Sequence, residues 1–384
     1  MRYKRLNEIN LSNKSVLLRL DLNTPIENGL VANHERIIRS LPTINFILDN
    51  SSRLIIMSHL GRPEENGTFQ EEFSLAPVVR ETEKLLNRKI PLYSLSEIED
   101  SNITDGIYFI ENTRFNIGEK NNDSGLSSRL ANLADLFVMD AFATSHRSHA
   151  STTGVIKFSD DACAGLLLDE ELTALSKVKE NSQDSVAILG GSKISTKLSL
   201  IDSLSESMDK VILGGGIANT CLAAKGYAVG NSLVEESMMD QAKKLLENPK
   251  IIIPETVIVS ESPDKEGRVT LADSIEENEF IFDIAPEALD DLKPILQNAG
   301  TILWNGPMGF FEKENFFEGT KKIAEMISSS KGFSVLGGGD TISAAEKAGV
   351  IDRINYVSTA GGAFLEFMEG KKLPAIEALI EKVI

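Results

Sequence analysis

Short apolar runs closed by glycine or polar turns recur along the whole chain, each followed by a stretch of helical periodicity. In the first half the runs are SVLLRL (15–20), SRLIIM (52–57), GIYFI (106–110) and LFVM (136–139). In the second they are SVAIL (185–189), KVIL (210–213), TILW (301–304), FSVL (333–336) and NYVS (355–358). This alternation predicts repeated strand-loop-helix units and parallel sheets. Helices are expected at about 41–49, with Ser40 as N-cap and Pro42 in the first turn, and near 74–88 and 126–136. The stretch AGLLLDEELTALSKVKEN (164–181) carries leucines at 166, 167, 168, 172 and 175 and reads as one long helix.

The fold class expected is α/β: two doubly wound, Rossmann-like parallel-sheet domains joined by that long helix and a hinge. The expected boundaries are an N-terminal domain over 1–162, a connecting helix over 163–181, a C-terminal domain over 182–370, and a C-terminal helix over 371–384 that can pack back on the N-terminal domain. A chain of 384 residues has ample material for two cores. Its 42% hydrophobic and 25% charged content argues against disorder and fibrous structure.

No run approaches 18 uninterrupted apolar residues, so no membrane span is expected. The opening MRYKRLNEINL lacks an apolar stretch after its positive charge, and a cytoplasmic protein is expected. Cys163 and Cys221 stand alone, without the spacing of a disulfide framework or zinc site. A net charge of −18 argues against nucleic acid and anionic membranes as partners. The distribution of charge says more. Residues 1–150 hold 12 of the 14 arginines and all four histidines, with 17 basic against 20 acidic side chains. The forked guanidinium suits carboxylate and phosphate, so this half is the place to look for an anion site.

In open α/β sheets ligands bind beyond the carboxyl ends of the strands. The first-half strand exits carry Asp21 and Asn23, then His59 and Arg62 in SHLGRP, Arg114 in ENTRF, and His146, Arg147 and His149 in SHRSH. Arg36, expected in a loop before the helix at 41, can join them. His149 and His34 are the weakest members of the set. These groups predict a small anion held by converging forks. The second-half exits are glycine-rich: GGSKISTK (190–197), GGGIANT (214–220), NGPMGFFE (305–312), GGGDT (337–341) and STAGGA (358–363). Glycines ahead of helix N-termini suit a polyphosphate. None of them fits a Walker P-loop or a dinucleotide fingerprint. Lys193 and Lys197, at i and i+4, are expected on one helix face toward a transferring phosphoryl group. Asp340 reads either as a helix N-cap or as a carboxylate for Mg²⁺.

In order and spacing, RLDLNTP, SHLGRP, ENTRF, DAFATSHRSHAS, GGSKISTKLSLI, WNGPMGFFE, GGGDT and STAGGAFLEFMEGKKLPAIEAL make the chain resemble the phosphoglycerate kinase family over essentially its whole length. The resemblance implies reversible phosphoryl transfer between ATP and the carboxylate of 3-phosphoglycerate, giving ADP and 1,3-bisphosphoglycerate, in a monomer. It places phosphoglycerate on Asp21, Asn23, Arg36, His59, Arg62, Arg114 and Arg147 of the first domain. It places the nucleotide on Gly191, Lys193, Lys197, Gly215, Asn305, Glu312, Gly338, Gly339, Asp340 and Thr341 of the second, with Glu312 on the ribose and Asp340 on Mg²⁺. The expected catalytic groups are Arg36, Lys193, Lys197, Gly361 and Gly362. Ala143, Ala285 and Ala360 stand where many members have glycine. A two-domain anion-binding protein, or a different small-molecule kinase, are the alternatives. The first leaves the second, glycine-rich site without a purpose.

Overall fold

The computed structural model describes residues 1–100, 103–180 and 183–383. The chain divides into two compact units, Met1–Leu172 with Lys372–Ile384, and Thr173–Lys371. All nine apolar runs are strands. The first unit contains Ser15–Leu20 (β1), Arg53–Met57 (β2), Leu92–Tyr93 (β3), Gly106–Ile110 (β4), Leu136–Asp140 (β5) and Ala162–Ala164 (β6). They form one parallel sheet in the order β3-β4-β2-β1-β5-β6. Strand β5 is buried throughout, and β1 at every residue but its first, because helices cover both faces. Val16, Leu18 and Leu20 of β1 pack with Ile37, Ile44 and Ile47 on one side of the core.

The second unit contains Ser185–Leu189 (β7), Lys210–Leu213 (β8), Ile251–Ile252 (β9), Thr256–Ser260 (β10), Arg268–Leu271 (β11), Phe280–Ile284 (β12), Thr301–Asn305 (β13), Phe333–Gly337 (β14) and Tyr356–Ser358 (β15). Its main sheet is parallel, in the order β9-β8-β7-β13-β14-β15, the doubly wound arrangement with its direction reversing between β7 and β13. Trp304 of β13 is fully buried at the centre of this core. A separate antiparallel sheet, β11-β10-β12, was not expected from the sequence.

Two helix expectations are corrected. The first helix is Glu35–Asn50, six residues longer at its start than predicted, and Pro42 lies inside it. Ser40 is no N-cap: it is buried in the helix and its hydroxyl donates to the Arg36 carbonyl at 2.8 Å. The Asn33 side chain instead accepts the Glu35 N–H at 2.8 Å and starts the helix, so Arg36 lies in a first helical turn rather than in a loop.

The long helix is Leu166–Glu180; Ala164 closes β6 ahead of it. The Asp140 carboxylate at the end of β5 accepts the Leu168 N–H at 2.8 Å and fixes its start. The division between units falls inside this helix, after Leu172. Asn181, where the connector was expected to end, and Ser182, where the second domain was expected to begin, lie outside the described residues. The helix Pro374–Glu381 belongs to the first unit, with the Ala375 N–H on the Ser145 carbonyl at 3.1 Å. No helix among the described residues is long and apolar enough to cross a membrane.

Candidate functional site

In the first unit the direction of the sheet reverses between β1 and β5, and the predicted anion-binding residues leave β1, β2, β4 and β5 around that point. Their loops are tied to one another. The Leu22 N–H donates to the Ser58 hydroxyl at 2.9 Å, and the Gly61 N–H donates to Asn23 Oδ1 at 2.8 Å. Arg114, buried, donates to the Gly61 carbonyl, and its Nε has no protein partner. Arg147 Nε reaches His146 Nε2 at 3.2 Å. Arg36 forms an ion pair with Asp21 across the gap between the first helix and β1. Arg62 is exposed beside Arg114.

The electrostatics record how tightly these cations converge. Burial, followed by the charges of Arg147 and Arg19, lowers Arg114 to about 10. His59 is 4% exposed. Burial first, then Arg19, Arg114, Arg147 and Arg36, push it well below the ordinary imidazole range, so it is neutral at physiological pH. Burial first, then Arg114, Arg147, Arg19 and His146, bring His149 down to about 4. His34 stands apart, with Nδ1 3.2 Å from Glu81. Gathering guanidiniums in so small a space costs stability unless negative charge offsets them, so the cluster is chemically suited to an anion.

Sequence reading missed Arg19 in this cluster. It lies within the apolar run SVLLRL, yet it is 1% exposed with its guanidinium fully engaged. An arginine inside an otherwise apolar strand is the signal that could have found it. Glu119, outside every motif, and Ser151, at the end of DAFATSHRSHAS, are also buried and were not singled out.

In the second unit a cavity of about 410 Å³ opens where the antiparallel sheet faces the ends of β7 and β8. Gly191 and Gly215 line its floor, Leu222, Val257 and Phe282 its apolar wall, and Glu312 and Asp340 its polar rim. The loop after β7 passes so close to its neighbour that a Cβ on Gly190 would lie 1.8 Å from the Pro307 carbonyl oxygen, so only glycine fits. Lys197 spans the reversal point of the sheet, donating to the Gly190 carbonyl and to the Asn305 carbonyl at 2.9 Å. Burial lowers it to about 8, against the opposing pull of Asp340. Asn305 donates to the Gly337 carbonyl at 2.6 Å while its buried Oδ1 has no protein partner. Thr341 accepts the Gly306 N–H at 2.7 Å.

Two expectations change here. Lys193 and Lys197 are not on one helix face: the helix begins only at Leu198. Ser195 is held by Glu235 through both N–H and hydroxyl, at 2.9 and 2.6 Å, which keeps the preceding segment as a turn. Lys193 is exposed and Lys197 is folded inward. Asp340 is no N-cap. Gly338, at φ +99°, is the capping residue of Gly339–Lys347, and Asp340 stands exposed in the first turn. Gly361 and Gly362 open the seven-residue helix after β15, outside the residues that line the cavity. None of Ala143, Ala285 and Ala360 is in the left-handed region, so alanine is at no conformational cost there.

The phosphoglycerate kinase family model matches residues 6–371. A phosphoglycerate kinase of Coxiella burnetii is 46% identical over 98% of both chains. The structure of phosphoglycerate kinase from Coxiella burnetii superposes with a TM-score of 0.96 over 100% of both chains at 46% identity. That from Pyrococcus horikoshii gives 0.80 over 99% of both at 30% identity. With two anion-suited sites on two doubly wound units and likeness along its whole length, this chain belongs to the phosphoglycerate kinase family.

Proposed function

We propose that the cation cluster of the first unit holds 3-phosphoglycerate and that the glycine-lined cavity of the second holds ATP or ADP. Family membership gives the reaction: reversible transfer of a phosphoryl group between ATP and the carboxylate of 3-phosphoglycerate, a glycolytic step. The observation that carries the assignment of sites is the convergence of two mutually repelling guanidiniums, buried Arg114 and half-buried Arg147, on neutral His59. A phosphate monoester supplies the charge they lack. Asp21, Asn23, Arg36 and Arg62 complete its surroundings.

In the forward direction a carboxylate oxygen attacks the terminal phosphorus of ATP, the bond from that phosphorus to the bridging oxygen breaks, and ADP departs with the electron pair. The carboxylate is already ionised, so no general base is required. Catalysis is positioning and neutralisation of charge on the moving phosphoryl group, which we assign to Arg36, Lys197, Lys193 and the amides of Gly361 and Gly362. Glu312 on the cavity rim faces the ribose. The core test is whether the purified protein, given 3-phosphoglycerate, ATP and Mg²⁺, releases ADP in a coupled assay while other phosphate-bearing acids give none.

Mg²⁺ fits the site only as the partner of the nucleotide. Among the described residues no group of three or more His, Cys, Asp or Glu side chains could hold a metal, whereas Asp340 offers a single exposed carboxylate at the cavity. When bound, the ion would neutralise phosphate charge. Asp340→Asn is expected to weaken nucleotide binding in Mg²⁺ at least tenfold and to leave binding in EDTA nearly unchanged. It should lower the melting temperature by only a few degrees, since one first-turn carboxylate is worth about 0.3–1 kcal/mol to a helix. Equal losses with and without Mg²⁺ would reject the metal role.

In-line transfer needs reacting atoms about 3–3.5 Å apart, and each substrate has its own unit. We therefore expect both substrates together, and neither alone, to draw the units fully together about a hinge in the segments that cross between them, with the radius of gyration from X-ray scattering smallest in the ternary complex. A radius unchanged by the substrates would leave only loop motion. Both half-sites lie on one chain, so a monomer suffices. Cys163 and Cys221 are free and buried, in keeping with a cytoplasmic enzyme.

A further inference from the structure

Behind the cation cluster runs a buried hydrogen-bond chain that the substrate contacts do not use. Glu119 is fully buried. Its carbonyl accepts the Ala150 N–H at 2.9 Å, and its carboxylate accepts the Ser151 N–H at 3.0 Å and the Ser151 hydroxyl at 2.5 Å. The glutamate thereby holds the start of the wide π-helical turn Ala150–Gly154. Arg19 Nε donates to the same Ser151 oxygen at 3.1 Å, Nη1 donates to the Leu20 carbonyl, and Nη2 lies 3.3 Å from His59 Nδ1.

The polarity of this chain has one solution. A guanidinium has donors and no acceptor. The Ser151 oxygen therefore accepts a hydrogen bond from Arg19, and its hydroxyl donates to the Glu119 carboxylate. His59 Nδ1 has Arg19 Nη2 at 3.3 Å and the Asp21 carboxylate only at 3.9 Å, so it accepts from the nearer guanidinium, which leaves the single proton of the neutral ring on Nε2. The opposite tautomer would set an N–H against an N–H in a buried site. We propose that Glu119, Ser151 and Arg19 are positioning residues that fix His59 as an Nε2–H donor for the anion bound beside it. This rests on reading the cluster as the phosphoglycerate site. A neutral ring held this way adds a directed hydrogen bond to the substrate without adding a further charge to a site already crowded with cations. Glu119 balances Arg19 from behind, so Arg114 and Arg147 remain for the ligand.

Imidazole ¹⁵N spectra of the ligand-free enzyme should show His59 with a protonated Nε2 and a bare Nδ1. Ser151→Ala should mix the two tautomers and raise the KM for 3-phosphoglycerate about tenfold, with kcat within about threefold and the KM for ATP unchanged. Ser151→Thr, which keeps the hydroxyl, should restore both the spectrum and the KM. Arg19→Lys keeps the charge but cannot reach Ser151 and His59 together, and it should reproduce the Ser151→Ala spectrum even if that variant folds poorly. A wild-type ring protonated on Nδ1, or an unchanged tautomer in both variants, would overturn the lock. A mixed tautomer with an unaltered KM for 3-phosphoglycerate would leave the lock standing and overturn the placement of substrate at His59.

Discussion

Arg36→Ala should lower kcat by about 10²–10³-fold while the KM for 3-phosphoglycerate moves far less. That range corresponds to the roughly 2.7–4 kcal/mol that one donor to transition-state charge supplies. The reason lies in how the side chain is held. Arg36 stands in the first turn of Glu35–Asn50, its guanidinium paired with Asp21 and its pKa lowered by burial and by Arg39. In the ground state Asp21 already satisfies much of its charge. The gain comes when negative charge spreads over the moving phosphoryl oxygens and the fork finds a second partner. Arg36→Lys should recover little, because an ammonium cannot hold Asp21 and a phosphoryl oxygen in one plane. Steady-state kinetics decide the matter. An unchanged kcat with a raised KM would make Arg36 a ground-state clamp.

Loss of Lys197 should be as severe on the nucleotide side, and it carries a pH signature. Lys197→Met removes a donor from both the Gly190 and Asn305 carbonyls and takes a half-buried cation from the point where the sheet's direction reverses. Affinity for ATP should fall at least a hundredfold, because a charge-assisted contact to phosphate and the shape of the glycine loop go together. Burial holds the wild-type ammonium at about 8, and a bound polyphosphate favours its charged form. ATP binding between pH 8 and 10 should therefore take up protons, seen as a binding heat that varies with the ionisation enthalpy of the buffer. Uptake should vanish in Lys197→Met. Linkage sets the sign for the free protein. From about pH 8 upward the folded state has shed this proton while the unfolded chain keeps it to above 10, so the penalty of burying the charge fades as pH rises through that window. Stability measured against Lys197→Met should improve over the same range.

The parallel sheets were legible because fully buried strands have no choice but to be apolar, and all nine runs formed them. The antiparallel sheet was not, since β11 lies mostly exposed with the mixed sequence RVTL and gives no periodic signal. Chemistry borne on strand exits was legible for the same geometric reason: the exit is where a parallel sheet must present its polar residues. What failed was inference across a turn. The i, i+4 spacing of Lys193 and Lys197 implied a shared helix face, but Glu235, forty residues downstream of Ser195, holds that segment open. A partner so distant in sequence leaves no mark on local spacing. Arg19, Glu119 and Ser151 were hidden likewise, because their mutual contacts span more than thirty residues and each looks ordinary alone.

The helix Pro374–Glu381 has a consequence for the order in which the protein is made. It seats its Ala375 N–H on the Ser145 carbonyl, next to the loop that carries His146 and Arg147. It also packs against Val155–Phe158 and β6. The whole of the other unit, Thr173–Lys371, separates this segment from the rest of its own. On the ribosome the first unit therefore lacks this support beside its Arg147 loop until the whole second unit has been synthesised, and the second can fold around its own core before the first is finished. The arginine cluster, assembled from the earliest part of the chain, becomes competent last.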